Sequence, residues 1–506
     1  MRTFLRSVAL ITAFAVATRG AGFLFRIILS RILGAELLGV YQIAFSFFMV
    51  FLTAIASGLP LVISRMTSTI PGDARYPTKL GQVVRSGLVI AFALAAIIIL
   101  TTFATSGIIG YLFADARSTR ILLFLVPALL GTAVYTVLRA VWWGQKKFFL
   151  LGLTELIEQL TRILLFFGLV GLGFLFKDMA IIAALSFTLA SLLSALIVLN
   201  LFRREQAIPR GPLMDMTETR VILRSAAPIT AVRVITSIAL PVIAVIIPLR
   251  LVAAGWQPAE AVAGFGIAVG MTLPLLSIPQ TVISSIATAL VPDLASSSSS
   301  RDTERTNRQI NSCIRATLLI NFMLIPAFIA IGPGIGRFLF ANEMAGVYLA
   351  QSAWIMIPMS LSLITNAILN SLGAETRAMM HYVIGSVALF ACVWILPGRI
   401  GVGALIVGLG ACTSIASVLN IHLISKKTGT GLHIIRGLAG FAVACVPAVI
   451  IGRALFDIFD TIPLFFNLAI TGSITVGASL AMAYVMNLVD LEHLRIFRKR
   501  HRNLTR

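Results

Sequence analysis

The chain has 506 residues, 58% of them hydrophobic and only 12% charged, with a formal net charge of +21 and a mean hydropathy of +0.99. A soluble globular domain carries about 25% charged residues, so this composition excludes one and indicates an all-α polytopic membrane protein. The surplus Lys and Arg sit in short loops between apolar runs rather than on an amphipathic face, which excludes nucleic acid as a partner and points to a topological charge bias.

The first apolar run, residues 8–33, exceeds the ~20 residues a helix needs to cross a bilayer. Arg2, Arg6 and the small residues Ala13, Ala15 and Ala17 imitate a cleavable signal peptide, but the run continues past the would-be cleavage site and further spans follow, so it reads as a retained first helix. Arg19 falls near its middle. Arg26 lies seven residues on, two helical turns away on nearly the same face. A guanidinium at bilayer depth costs at least ~2.5 kcal/mol and faces a bundle interior or wet cavity, so this stripe should look inward, at something anionic.

About fourteen spans follow the ~20-residue rule. The first seven are 8–33, 40–64, 82–110, 121–143, 150–176, 179–202 and 221–249; the second seven are 260–291, 310–332, 347–371, 379–397, 400–424, 432–455 and 463–488. Sorting the loops alternately puts most cations on one side, among them Arg75, Lys79, Lys146, Lys147, Arg203, Arg204, Arg210, Arg301, Lys426 and Lys427, and makes both termini cytoplasmic. The chain then divides into an N-terminal lobe of six helices (1–204), a cytoplasmic linker (205–220), a C-terminal lobe of six (221–424), a final helix pair (425–490) and a basic tail (491–506). The polar segments 203–220 and 293–308, the latter containing SSSSSRDTER, read as solvated linkers. A faint internal repeat pairs VPALLGTAVYTVLRAVWWGQ (126–145) with IPMSLSLITNAILNSLGA (357–374): each has a Pro near its entry, a polar middle and a Gly-containing exit. Parallel repeats of this kind occur in transporters and make the two lobes pseudo-symmetric.

Few other polar residues lie at depth. In TELIEQLTR of the fifth span, Glu155, Glu158 and Arg162 share a face, with Glu158 and Arg162 four apart. They form either an ion pair that fixes helix packing or a group that contacts substrate or couples protons. Arg233 lies near the middle of the seventh span with no acid on its own helix. Arg65 and Arg139 sit nearer cytoplasmic ends, where side chains snorkel, and Asn366 and Asn370 form a stripe suited to interhelical hydrogen bonds. Cys313, Cys392, Cys412 and Cys445 read as small core residues. His381, His422, His433, His493 and His501 are scattered. No catalytic, metal or cofactor site is expected, and a membrane glycosyltransferase or polymerase would need clustered acids or a large extramembrane loop.

Arg19, Arg26 and Arg233 are therefore deep cations with no obvious carboxylate, and Arg65 and Arg139 complete the candidate binding set. Guanidinium forks match phosphate oxygens, which makes an anionic diphosphate headgroup the natural ligand. A cavity selecting organic cations would instead show unpaired buried Asp or Glu.

At these residues the sequence resembles a family. TRGAGFLFRIILSRILGAELLGVYQIAFSFFMVFLTAIASGLPLVISRM, GLPLVISR at Gly58–Arg65 and ELIEQLTRI at Glu155–Ile163 are similar to the multidrug/oligosaccharidyl-lipid/polysaccharide exporter superfamily, and more narrowly to its branch that includes stage V sporulation protein B, beside the lipid II flippases. RAVWWGQKKF resembles that family's fourth-span exit, although Trp143 stands where Gln is expected. The resemblance implies two six-helix lobes plus a helix pair, alternating access, and a polyprenyl-diphosphate-linked glycan moved from the cytoplasmic to the outer leaflet. The alternative within the fold is a multidrug antiporter. Arg19 matches the family's first-helix Arg; Arg26 matches only the sporulation-protein branch. The seventh span lacks the acidic residue with which some relatives bind a monovalent cation. The resemblance also implies residence in a bacterial cytoplasmic membrane and contact with membrane lipids and glycan-synthesis enzymes, as a non-enzymatic monomer.

Overall fold

The computed structural model describes residues 2–69, 76–113, 115–172, 178–206, 215–299, 302–429 and 434–485. Arg75, Arg210, Arg301, half of the 205–220 linker (207–214) and the 491–506 tail lie outside them. All regular structure among the described residues is helical. The chain forms two compact units, Met1–Gly266 and Ile267–Arg506.

In the first unit, α1 (Arg2–Ala56) and α2 (Gly58–Thr69) are followed by α3 (Tyr76–Ala104), α4 (Ser106–Leu112), α5 (Arg117–Leu125), α6 (Ala128–Gly144), α7 (Phe148–Gly171), α8 (Met179–Glu205), α9 (Met216–Ser237), α10 (Ala239–Ala253) and α11 (Pro258–Phe265). The second unit opens on a π-helical turn, Gly266–Thr272, whose first residue closes the first unit. It continues through α12 (Leu273–Leu276), α13 (Ile278–Ser299), α14 (Thr303–Phe340), α15 (Glu343–Ser352), α16 (Met356–Ser371), α17 (Glu375–Ile395), α18 (Pro397–Ile400), α19 (Gly403–Thr428), α20 (Ile434–Ile458) and α21 (Leu464–Val485). The expected lobe boundary at 205–220 and the observed unit boundary at Gly266 differ, because α9 packs on α1, α2 and α3 and α11 on α1.

Twelve helical runs among the described residues are long and apolar enough to cross a membrane. One of them, Ala13–Thr69, spans 57 residues and is interrupted at Gly34, whose φ of 69° and ψ of −178° lie in a region open only to glycine. The linkers are shorter than the sequence suggests. Asp215 caps α9 by accepting from the amides of Thr217 and Glu218, and Gln82 Nε2 donates to the same carboxylate at 2.9 Å. Asp302 caps α14 through the Arg305 amide, and residues 293–299 and 303–308 of the 293–308 segment are helical. In both places a capping carboxylate lets a polar stretch continue as helix.

Large apolar side chains lie on the outside as well as in the core, and small polar ones lie within. Leu100, Leu164, Ile235 and Val387 are exposed, whereas Ser86, Ser186, Thr365, Asn420, Thr471 and Ser479 are buried. Small and hydroxylated residues inside, with large apolar ones outside, is the packing expected of helices in lipid, where close backbone approach and interhelical hydrogen bonds replace hydrophobic burial. A Cβ on Gly39 would fall 2.1 Å from the Val262 carbonyl oxygen, so α1 and α11 touch backbone to backbone. In the second unit Asn420 donates to Asn366 Oδ1 at 2.8 Å and to Thr365 at 3.1 Å, while its own oxygen lies 2.7 Å from His381 Nδ1. The expected interhelical use of Asn366 is thus observed.

Contact order along helix pairs gives their direction. Phe14 meets Phe149, Gly22 meets Gln159 and Phe25 meets Phe166, so α1 and α7 run parallel. Thr188 bonds Phe124, Ser191 bonds Ala128 and Glu205 bonds Trp142, so α6 and α8 are parallel too. In the second unit Ser417 bonds Pro358, Asn420 bonds Asn366 and Lys427 bonds Leu372, which makes α16 and α19 parallel. The two segments of the suspected repeat, on α6 and α16, therefore have equivalent partners within their own units.

The bend at Gly34 is tied down by charge. Arg117 Nη2 binds Glu36 and also Asp115 Oδ2 at 2.6 Å. Burial pushes the Asp115 carboxyl up, but hydrogen bonds from the Arg117 side chain and amide, with its charge, outweigh this and hold Asp115 below its ordinary range. A carboxylate depressed in the folded state contributes stability above its unfolded pKa and loses it as pH falls through the folded value. Thermal unfolding of the detergent-solubilised protein should show this component disappear on acidification below about pH 4, and Arg117→Gln should remove about 0.5–1 kcal/mol of it at neutral pH, since both groups are partly solvated.

Candidate functional site

Every sequence-predicted site residue falls in the first unit. Along α1, Arg19 is exposed and Arg26 half-buried, with Gly22 between them. A Cβ on Gly22 would lie 3.6 Å from Gln159 Nε2, so this face of α1 rests on α7 at the level of Glu158–Arg162. Buried Tyr41, on the returning half of α1, lies within electrostatic reach of both Arg26 and Arg162. The stripe and the fifth-span charges are thus brought together.

The carboxylates of α7 are consumed by two arginines. Arg162 Nη2 binds Glu158 Oε1 at 3.1 Å, across the expected one-turn spacing, while its guanidinium carbon sits 4.1 Å above the Phe187 ring. Glu155 pairs not with Arg162 but with Arg139 of α6, at 3.1 Å. Arg139 also donates to the Leu151 carbonyl at 2.8 Å and covers Tyr135 at 4.6 Å. Arg139 therefore turns toward α7 rather than snorkelling, because α6 and α7 are joined by a tight turn that lays the two faces together.

Arg65 on α2 and Arg233 on α9 are exposed. Arg233 lies one turn beyond Thr230, whose hydroxyl packs where a Cβ on Gly58 would sit. Among the described residues, Arg19, Arg26, Arg65 and Arg233 form no ion pair with a carboxylate, whereas Arg117, Arg139 and Arg162 do. The described residues hold no metal-ligand cluster. What the arrangement offers chemically is guanidinium donors without a protein anion, beside carboxylates already neutralised.

Sequence reasoning missed Tyr41, Tyr135, Gln159 and Phe187. Tyr135 is four residues before Arg139, a spacing that could have flagged it. Phe187 and Tyr41 reach Arg162 only through tertiary packing.

A family model described as polysaccharide biosynthesis protein matches residues 4–298, more than half the chain and the whole of this site. The chain belongs to that family. Stage V sporulation protein B of Bacillus subtilis (strain 168) is 24% identical over 456 residues, covering 88% of each chain. Among solved structures, the lipid II flippase MurJ in an inward closed conformation superposes with a TM-score of 0.67 at 15% identity, covering 96% of this chain and 99% of its own. An inward-facing multidrug resistance MATE family transporter of the MOP superfamily gives 0.65 at 16%, covering 81% and 94%. This polysaccharide biosynthesis family member is therefore a multi-pass membrane protein with the fold of MOP superfamily transporters.

The two ion pairs should differ in strength. Glu158 and Arg162 have side chains 22% and 18% exposed, while Glu155 is 53% exposed. Removing one partner of a buried pair costs about 3–5 kcal/mol and of a surface pair about 1 or less. Glu158→Ala should thus lower the unfolding midpoint clearly more than Glu155→Ala, and a double-mutant cycle with Arg162→Ala should return the larger coupling.

Proposed function

We propose that this protein is a flippase that moves a polyprenyl-diphosphate-linked glycan, lipid II or a lipid-linked polysaccharide unit, from the cytoplasmic to the outer leaflet of a bacterial cytoplasmic membrane. The observation that carries the reading is the division of the intramembrane charges: both α7 carboxylates are paired, and Arg19, Arg26 and Arg233 are not. Three guanidiniums without a protein counter-ion suit an anion with several oxygens, and a diphosphate takes them in the bidentate geometry that arginine favours. The glycan occupies an aqueous path while the lipid tail stays in hydrocarbon, since carrying so polar a headgroup through bare lipid is prohibitive. No bond is made or broken, so the protein works as a transporter rather than an enzyme, acting as a monomer that receives cargo from glycan-synthesis enzymes.

Fourteen crossings fit this reading. The 57 residues of Ala13–Thr69 amount to roughly 85 Å of helix against a hydrocarbon core of about 30 Å, enough for two. α7 is 24 residues long and apolar apart from Glu155, Glu158 and Arg162, long enough to cross as well. With these counted, α1 begins and α21 ends on the same side, and the parallel pairs α1 with α7, α6 with α8 and α16 with α19 are each an even number of crossings apart. The cationic ends at Arg65, Lys79, Lys146, Arg203 and Lys426 then face the cytoplasm. The α6–α8 and α16–α19 pairs also support two pseudo-symmetric lobes.

MATE-like drug antiport is the second reading, favoured by the fold. It needs a deep unpaired carboxylate to attract an organic cation, and Glu155 and Glu158 are both engaged.

Arg19→Ala should abolish translocation of a diphosphate-linked glycan in a leaflet-accessibility assay with reconstituted vesicles, at unchanged expression, while Arg19→Lys retains a part. Undiminished flipping by Arg19→Ala would remove the role given to the stripe. Running lipid II and a lipid-linked polysaccharide unit side by side identifies the cargo.

A further inference from the structure

Gln159 is the α7 side chain that meets α1 between its two arginines. Arg19 lies three residues before Gly22 and Arg26 four after it, so the three share a helix face with the glycine between the cations. A Cβ at Gly22 would stand 3.6 Å from Gln159 Nε2 and 3.8 Å from its amide carbon. The missing side chain lets the amide lie against α1 at that level.

The amide is oriented from its other side. Arg162 Nη1 donates to Gln159 Oε1 at 3.5 Å, and a guanidinium, which has donors only, requires the oxygen rather than the NH2 group to face it. Arg162 is itself fixed, by Glu158 Oε1 at 3.1 Å and by the Phe187 ring 4.1 Å from its guanidinium carbon. Phe187 in turn packs edge-on against Phe45 and Phe48 of α1, at centroid distances of 5.7 and 5.2 Å. With Oε1 turned to Arg162, Nε2 presents its two N–H donors to the face that carries Arg19 and Arg26. Among the described residues it donates to nothing, and the side chain is only half-buried.

We infer that Gln159 is a further binding residue of the diphosphate site, its Nε2 donating to a phosphate oxygen held between Arg19 and Arg26. The inference rests on the diphosphate reading above. The two guanidiniums supply charge, and the amide supplies an uncharged donor whose direction is set by Arg162. A diphosphate has oxygens on two phosphorus atoms, so it can meet both arginines and still offer an acceptor to the amide. Arg162 and Phe187 are then positioning residues, which hold the amide without touching the ligand. Through Gln159, α7 takes a part in binding that its paired charges do not.

Farnesyl diphosphate binding to the full-length protein in nanodiscs tests this with Gln159→Met, which keeps the length of the side chain and removes its donors. The variant should bind about tenfold more weakly than wild type, the loss expected of one hydrogen bond to a charged acceptor. A Gln159 that only packs α1 on α7 predicts equal affinity. In wild-type protein isotopically labelled at its glutamine side chains, which avoids any folding defect of the variant, the ligand should move one Nε2 proton signal downfield, and Gln159→Met should lack that signal. Equal binding by Gln159→Met, or no glutamine signal that moves, overturns the role of Gln159. If at the same time wild type binds and Arg19→Ala does not, the diphosphate reading stands and only Gln159 falls from the site. Absence of binding by the wild type overturns both together.

Discussion

The constraint on which the rest depends is that an ionised guanidinium inside a bilayer must be met by an anion, by water or by a carboxylate. This chain places several arginines at such depth and meets them in two ways. Arg139 of α6 is answered by Glu155 across to α7, and Arg162 by Glu158 within α7. Arg19 and Arg26, on a face of α1 resting on that same α7, are not. Because the acids are used up locally, no rearrangement of the observed pairs can neutralise the stripe without exposing another cation. The surplus belongs to the composition of this region, and it is what the proposed diphosphate cargo answers.

That division could be held only by a scaffold that fixes which side chains reach which. The glycine at position 22 lets α1 lie against Gln159, and the backbone contact of Gly39 with Val262 anchors the returning half of the same helix. Between these the chain reverses at Gly34, where the Arg117, Glu36 and Asp115 cluster ties the bend to the start of α5. A helix whose ends are clamped in this way keeps Arg19 and Arg26 on one face, since rotating one rotates both. Close backbone approach at glycines adds to the packing of buried large side chains such as Phe48, Phe166 and Trp142.

Much of this was readable from residues alone, and the unread part has a common cause. The one-turn Glu158–Arg162 pair follows from helical periodicity, and the apolar runs follow from composition, because both are local. Glu155 was grouped with Arg162 for the same reason, and its actual partner, Arg139, depends on how the α6–α7 turn folds one helix back on the next. The linkers at 203–220 and 293–308 looked solvated because Asp, Ser and Thr are common in loops, yet Asp215 and Asp302 use the same chemistry to start helices. The placement of Tyr41 and Phe187 around Arg162 needed three helices at once.

The paired and unpaired arginines are not independent sets, because Arg162 stands between them. The Glu158–Arg162 pair lies within α7, one turn apart, and its guanidinium carries the helix onto α8 by stacking on the Phe187 ring. Glu155, more exposed and bound to an arginine that also grips the Leu151 carbonyl, has no comparable connection to α1 and remains a structural partner.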